Sequence, residues 1–364
     1  MLDLLMKYHL EQVRNLPTNF TRYLYDRIDW NEISLGLIGA RGVGKTTMLL
    51  QHWKNCYDDV ERCLYISADN LHVVSQGLLA IAAEYFGSGG EALIIDEVHT
   101  YPDWTREIKN IIDSFKGRKI LISGSSSAEL TRAGADLSRR VAWFKLKGLS
   151  FREYLDVSGI YTHDPITFEE LLRHHIRISS NIAREINILP YFKTYLKEGY
   201  YPFFIESRTT HLTKLLSVID KVVAEDIPYA FNVNPSSIPV IKKLLSTIAL
   251  SQPFVPNIEG LSRDLAISKE YVYLFLEYLE KTSLVMFLNS SGKRSTQNRK
   301  PKKILLENPN LNSALAHQES LNALSGTIRE TFLASALSLD HRVALPVEGD
   351  FLIDDKVTFE VGGS

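Results

Sequence analysis

Gly39-Ala40-Arg41-Gly42-Val43-Gly44-Lys45-Thr46 decides how this chain is read. The run matches G-x-x-x-x-G-K-[ST], a loop whose glycines let backbone N–H groups turn inward around phosphate oxygens. An apolar run from Ile33 to Ile38 precedes it and reads as a buried strand. Thr47-Met48-Leu49-Leu50-Gln51-His52-Trp53 follows and reads as a helix. Strand, glycine loop and helix make an anion site, because the helix N-terminus adds its positive dipole end to the inward N–H groups. Gly39, Arg41, Gly42, Val43 and Gly44 would form the cradle. Lys45 is expected to bridge β- and γ-phosphates, Thr46 to offer its hydroxyl to Mg²⁺, and Thr47 to supply a second hydroxyl. A glycine turn that binds nothing is the plainer reading; the complete motif and both flanks speak against it.

The other half of such a site is an apolar strand that ends in acids, and Leu93-Ile94-Ile95-Asp96-Glu97 supplies it. This strand is expected to lie beside the loop's own strand. Asp96 would then sit near the Mg²⁺ and Glu97 would polarise an attacking water. Together the two stretches point to ATP; a guanine-reading Asn/Thr-Lys-x-Asp motif is not evident. Ile120-Leu121-Ile122 runs into Ser123-Gly124-Ser125-Ser126-Ser127. Either Ser123 or Ser125 senses the γ-phosphate or holds the water, or the serines cap the next helix. Ser138-Arg139-Arg140 precedes a further strand. Arg140 is a candidate to stabilise phosphoryl charge, in its own subunit or a neighbour's, against the reading of a solvated basic pair. His99 is either a structural histidine or a coupling residue next to the acids. Arg22 and Arg27, just before the first core strand, are further candidates to sit near the nucleotide.

Composition sets outer bounds. The chain has 364 residues, 45% hydrophobic and 23% charged, with a formal net charge of −2. That balance suits an ordinary globular protein and gives no global pull towards nucleic acid, so any such binding must use a local patch. Cys56 and Cys63 have no metal-ligand spacing and suggest a reducing compartment. With no signal-peptide core and no long apolar run, the expectation is a cytoplasmic protein without a membrane span.

Residues 1–32 read as a helical segment broken near Pro17. Residues 33–150 alternate strands (34–39, 63–68, 92–98, 119–123, 143–149) with helices (45–56, 74–86, 103–116, 126–133). This alternation predicts an α/β fold, a parallel sheet flanked by helices, with ligands at the carboxyl ends of the strands. Residues 151–250 lose the strand signal and read as a helical lid. Residues 251–310 read as a winged helix: Ile258–Leu265, a turn, Lys269–Lys281, then two strands. The loop between those strands carries Lys293, Arg294, Arg299, Lys300, Lys302 and Lys303 without an acid, a patch suited to DNA phosphates. The second helix is aromatic and mildly acidic, which suits a protein contact better. Residues 311–364 hold a helix with Glu330 and a hairpin with Asp350 and Glu360. These look like part of a restriction-endonuclease-like metal site, but Gly362 stands where its lysine is expected. This region is therefore expected to be an incomplete nuclease fold, inactive as written.

Taken together, these residues resemble the prokaryotic AAA-type ATPases with a C-terminal domain of unknown function. Gly39–Thr47, Leu93–Trp104, Ser123–Ser127 and Leu137–Leu155 carry the resemblance, which covers nearly the whole chain. It implies a P-loop NTPase of AAA-like form, a helical lid, a winged helix and a nuclease-like C-terminal region. It also implies nucleotide and Mg²⁺ roles for Gly42, Gly44, Lys45, Thr46, Asp96 and Glu97, and aligns Arg140 with the family's arginine before the last core strand. The leading expectation is an Mg²⁺-dependent ATPase that remodels a protein or DNA partner, with oligomer formation open. A nucleotide-gated switch with slow hydrolysis, and a DNA-processing enzyme, are the alternatives.

Overall fold

Each expected strand of the N-terminal half forms, and together they make one parallel sheet. The structure, a computed structural model, describes residues 2–124, 137–251, 255–290, 301–321 and 325–362. The chain divides into two units, Met1–Gly148 and Leu149–Ser364. In the first, β1 (Ser34–Ile38), β2 (Cys63–Ser67), β3 (Ala92–Asp96), β4 (Lys119–Gly124) and β5 (Ala142–Lys145) pair in the order β2-β3-β4-β1-β5. All four pairings are parallel. Their near-continuous apolar character follows from cover on both faces. Gly36, mid-strand in β1, is required by contact: a Cβ there would lie 2.1 Å from the Trp143 ring on β5.

One expectation is corrected here. The acid strand β3 does not lie beside β1, because β4 is inserted between them. Residues Ile120 to Gly124 are all buried, and only a central position covers both faces and both edges of so apolar a strand. Crossover connections can skip a place in the sheet, so order along the chain did not reveal this.

The helices are α1 (Leu2–Val13), α2 (Lys45–Cys56), α3 (Leu71–Gln76), α4 (Leu78–Gly87) and α5 (Trp104–Ser114). The helix expected over 74–86 is two, broken at Gly77 with φ 92°. The N-terminal segment is helical only to Val13, followed by a short turn at Tyr25–Arg27. Gln51 Nε2 of α2 donates to the carbonyls of Pro17 (2.7 Å) and Phe20 (2.8 Å), which draws this stretch out of a helix. The helix expected at 126–133 lies outside the described residues.

The second unit begins with the Phe151–Val157 helix, opened by a capping box between Ser150 and Glu153. Helices at Phe168–Glu185, Ile188–Glu198, His211–Lys221 and Ile238–Leu250 follow. Ile258–Leu265 and Lys269–Lys281 come next, then β6 (Val285–Leu288) antiparallel to β7 (Lys303–Leu306). After the Pro309–Gln318 and Ser325–Leu337 helices, β8 (Val343–Ala344), β9 (Phe351–Ile353) and β10 (Val357–Phe359) form an antiparallel sheet with β9 central.

Candidate functional site

The carboxyl ends of β1, β3 and β4 converge on Asp96, the last residue of β3. Its Oδ2 accepts hydrogen bonds from Thr46 Oγ1 (2.5 Å) and Tyr65 OH (2.9 Å). Its Oδ1 accepts from Ser123 Oγ and from the Glu97 N–H at 3.1 Å. The insertion of β4 explains this convergence. Ser123 pairs with Leu37 of β1 in register, one residue beyond the Ile95–Ile122 pair that joins β4 to β3. The Ser123 hydroxyl points to the acid. Ser125 lies outside the described residues.

The loop has the conformation its glycines permit. Gly42 (φ 81°) and Gly44 (φ 97°) are left-handed, a region costly for other residues. Gly39 has no room for a side chain, since a Cβ would meet the Leu146 carbonyl oxygen at 2.1 Å. Val43 is fully buried, and α2 starts at Lys45. Lys45 Nζ donates to the carbonyls of Gly39 and Ala40, both at 3.0 Å, so its ammonium crosses the mouth of the loop. Thr46 faces the acid, while Thr47 is half-buried one position further along α2.

Glu97 is the first residue past β3 and takes a left-handed φ of 52°. Its carboxylate lies 3.9 Å from Arg41 Nη1 and 3.5 Å from His99 Nε2, and Arg41 Nη2 lies 3.4 Å from that same nitrogen. Arg41 and Glu97, from the loop and the acid strand, thus meet in one cluster over buried His99.

Arg140 is not brought to this cluster. It makes a two-pronged ion pair with Asp113 of α5 (2.9 and 3.1 Å), which holds the Asp113 carboxyl below its ordinary range. It precedes Ala142, which pairs with Leu35 at the amino end of β1. The phosphate loop leaves the other end, a strand length away at ~3.3 Å per residue. Arg27 stacks over the Tyr23 ring (5.3 Å), whereas Arg22 reaches the loop itself.

Tyr65 is the site residue that sequence reading missed. Burial, then the Asp96 carboxylate, push its phenol well above the ordinary range, so it remains a donor. A tyrosine inside a buried aliphatic strand was the available signal, because a buried phenol needs a partner.

In the second unit the basic patch needs correction at one end. Lys303 is buried on β7, ion-paired with Glu330 at 2.5 Å and placed over the Phe351 ring at 5.3 Å. It serves the packing and is not offered to phosphate, and Glu330 is likewise engaged. Lys302 is exposed; Lys293, Arg294, Arg299 and Lys300 lie outside the described residues. Asp350 accepts the Val361 N–H at 2.6 Å across the hairpin, and Glu360 is exposed. Among the described residues no group of three or more His, Cys, Asp or Glu is placed to hold a metal ion.

A parallel sheet with a glycine loop, Lys-Thr and an opposed Asp-Glu at its carboxyl rim is the P-loop NTPase fold. Residues 31–155 match the family model of an AAA domain, and residues 189–322 match a domain of unknown function, DUF8612. Among curated proteins, the chain is similar to Uncharacterized protein MJ1637 of Methanocaldococcus jannaschii, 27% identical over 81% of this chain and 64% of that protein. It is also similar to Uncharacterized protein MJ1544 of the same organism, 23% identical over 70% of this chain and 56% of that one. The chain thus spans roughly three-fifths of the length of these relatives. Among solved structures, AMPPCP-bound DnaA from Aquifex aeolicus aligns at TM-score 0.29 and 14% identity, covering 77% of this chain and 87% of that one. Replication initiator DnaA bound to AMPPCP and single-stranded DNA aligns at 0.30 and 13%, covering 76% and 88%. No helix among the described residues is long and apolar enough to cross a membrane.

Proposed function

We propose that the chain binds ATP with Mg²⁺ at the glycine loop, hydrolyses it, and uses the cycle to remodel a protein or DNA partner in the cytoplasm. One observation carries the reading: Asp96 is delivered across β4 to within 2.5 Å of the Thr46 hydroxyl. A carboxylate and a hydroxyl at the mouth of an N–H-lined loop are the hard oxygen donors that suit Mg²⁺. Thr46 and Asp96 would hold Mg²⁺, which would supply positive charge to offset that of the phosphates. Lys45 exchanges its two carbonyl acceptors for phosphate oxygens, and the loop N–H groups hold the rest of the polyphosphate. Tyr65 keeps the Asp96 carboxylate in place while the Thr46 and Ser123 hydroxyls turn to the ligand. Glu97 orients the attacking water and accepts its hydrogen bond.

Phosphate release tests this reading, with wild type and Glu97→Gln compared in Mg-ATP, with and without duplex or single-stranded DNA. Turnover that falls at least about a hundredfold in Glu97→Gln supports hydrolysis at this site. Equal turnover in the two proteins would sink it.

A second reading, a nucleotide-gated switch with slow hydrolysis, draws support from the engagement of Glu97 by Arg41 and His99. It requires ATP binding with little turnover. In either case the 258–306 segment, with the element order of a winged helix, is the proposed effector surface. Tyr271 (54% exposed) and Leu274 (36%) stand on its second helix beside Glu270 and Glu277, which favours a protein partner there. DNA contact would fall to the basic loop that includes Lys302. In an oligomer, Arg140 would act on a neighbour's phosphates rather than its own, at the expense of its Asp113 pair.

A further inference from the structure

We propose that Arg22 is the brace that holds the phosphate loop in its ligand-receiving shape and ties that shape to the exit of β5, an inference that rests on the nucleotide reading above. Arg22 is 5% exposed, far from the usual place of a guanidinium. Its Nη1 donates to the Val43 carbonyl at 2.6 Å; its Nη2 donates to the carbonyls of Lys147 (2.7 Å) and Gly148 (2.8 Å). One planar fork therefore grips two backbone segments more than a hundred residues apart in sequence.

The grip on Val43 has a consequence for the site. In a planar trans peptide the C=O and the following N–H point in opposite directions. Holding the Val43 oxygen on the Arg22 side therefore turns the Gly44 N–H to the other side, towards the hollow of the loop. Val43 sits between two left-handed glycines, Gly42 and Gly44, whose backbones would otherwise be the freest in the loop. The fixed positive charge behind the loop also favours an anion in front of it.

The grip on Lys147 and Gly148 adds the second link. The Leu146 N–H donates to the Ile38 carbonyl at 2.7 Å, so the chain leaving β5 lies against the start of the loop. Gly39 leaves space for the Leu146 carbonyl where no Cβ would fit. Arg22 joins the far side of the loop to this exit, at the last residues of the first unit. The irregular path from Pro17 to Arg22 is held by the Pro17 and Phe20 carbonyls, which accept from Gln51 of α2, and by the Arg22 side chain on the loop. Lysine cannot replace Arg22, because a single ammonium point lacks the fork that spans both segments.

Arg22→Lys and Arg22→Gln in the full chain test the brace. Three readouts are needed: circular dichroism for folding, titration with a fluorescent Mg-ATP analogue, and hydrogen exchange of the Gly42–Thr46 amides. A folded Arg22→Lys should bind at least tenfold more weakly and exchange these amides faster, much as Arg22→Gln does. Affinity and protection within twofold of wild type in folded Arg22→Lys would overturn the proposal. So would loss of folding in both variants, which would make Arg22 a stability residue only. If the wild type binds no nucleotide, the functional reading fails separately. The exchange rates then still decide the brace, with faster exchange supporting it and unchanged exchange refuting it.

Discussion

Asp96 shows how much a single strand-end carboxylate is asked to hold. It accepts from Thr46, Tyr65, Ser123 and the Glu97 amide, so both its oxygens are committed before any ligand arrives. The Tyr65 contribution is separable, because its ring is packed independently of its hydroxyl. A hydrogen bond to a charged group contributes roughly 1.5–3 kcal/mol, so Tyr65→Phe should lower stability by about 2 kcal/mol. The urea midpoint should fall with its slope unchanged; an unchanged midpoint would mean that water replaces the phenol. Lys303 and Glu330 make the second residue-scale prediction. Their side chains are 11% and 12% exposed, and removing one partner strands the other. Lys303→Met should cost about 3 kcal/mol, whereas Lys303→Met with Glu330→Leu should recover most of that, as judged by chemical denaturation. A single variant as stable as wild type would contradict the burial argument.

At the scale of elements, the edge of the sheet carries a dependence on acid. β2 is an outer strand, and α1 covers it: His9 Nδ1 accepts the Tyr65 N–H at 3.0 Å, with its ring edge-on to Trp53 of α2 at 4.4 Å. His52 of α2 stacks on Trp30 at 3.8 Å. Burial holds His9 at about 4, and burial followed by the Lys119 charge holds His52 at about 4, both below the ordinary 6.5. The unfolded chain therefore binds protons first as pH falls. Stability is full above roughly pH 6.5 and is lost as pH drops towards 4, by about 2 kcal/mol per histidine at about pH 5. His9→Gln keeps an acceptor for Tyr65 and cannot titrate. Its urea midpoint should fall less than that of wild type between about pH 7.5 and 5. An identical fall in both would contradict the assignment.

Elements also divide what the sequence could tell from what it could not. Strand positions were legible because doubly covered strands are continuously apolar, and the loop was legible because phosphate binding restricts residue type at fixed spacing. The place of β4 between β1 and β3 was not legible, since crossovers leave no local trace. The Asp113 pair of Arg140 was not legible, because a short basic run has the same appearance whether it faces a phosphate or pairs with an acid. Tyr65 meets the site from another strand with no motif to mark it, whereas Arg22 was marked only by its place just before the first core strand.

For the whole molecule, the two units differ in how far their residues explain them. In Met1–Gly148 the motif, the sheet and the hydrogen-bond network all point to one site. In Leu149–Ser364 the Ile258–Leu265 and Lys269–Lys281 helices and the β6–β7 pair fall where the apolar spacing puts them, whereas the Pro309–Gln318 helix and β8 were not expected. Among the described residues no group of three or more His, Cys, Asp or Glu is placed there to hold a metal ion. On the function proposed above, the first unit carries the chemistry and the second would offer its surfaces to a partner. The most direct measurement of this account is calorimetric titration of wild type and Lys45→Ala with ATP, with and without Mg²⁺. The account predicts wild-type binding that strengthens with Mg²⁺ and is lost in Lys45→Ala. Equal binding by both proteins, or none by the folded wild type, would contradict it.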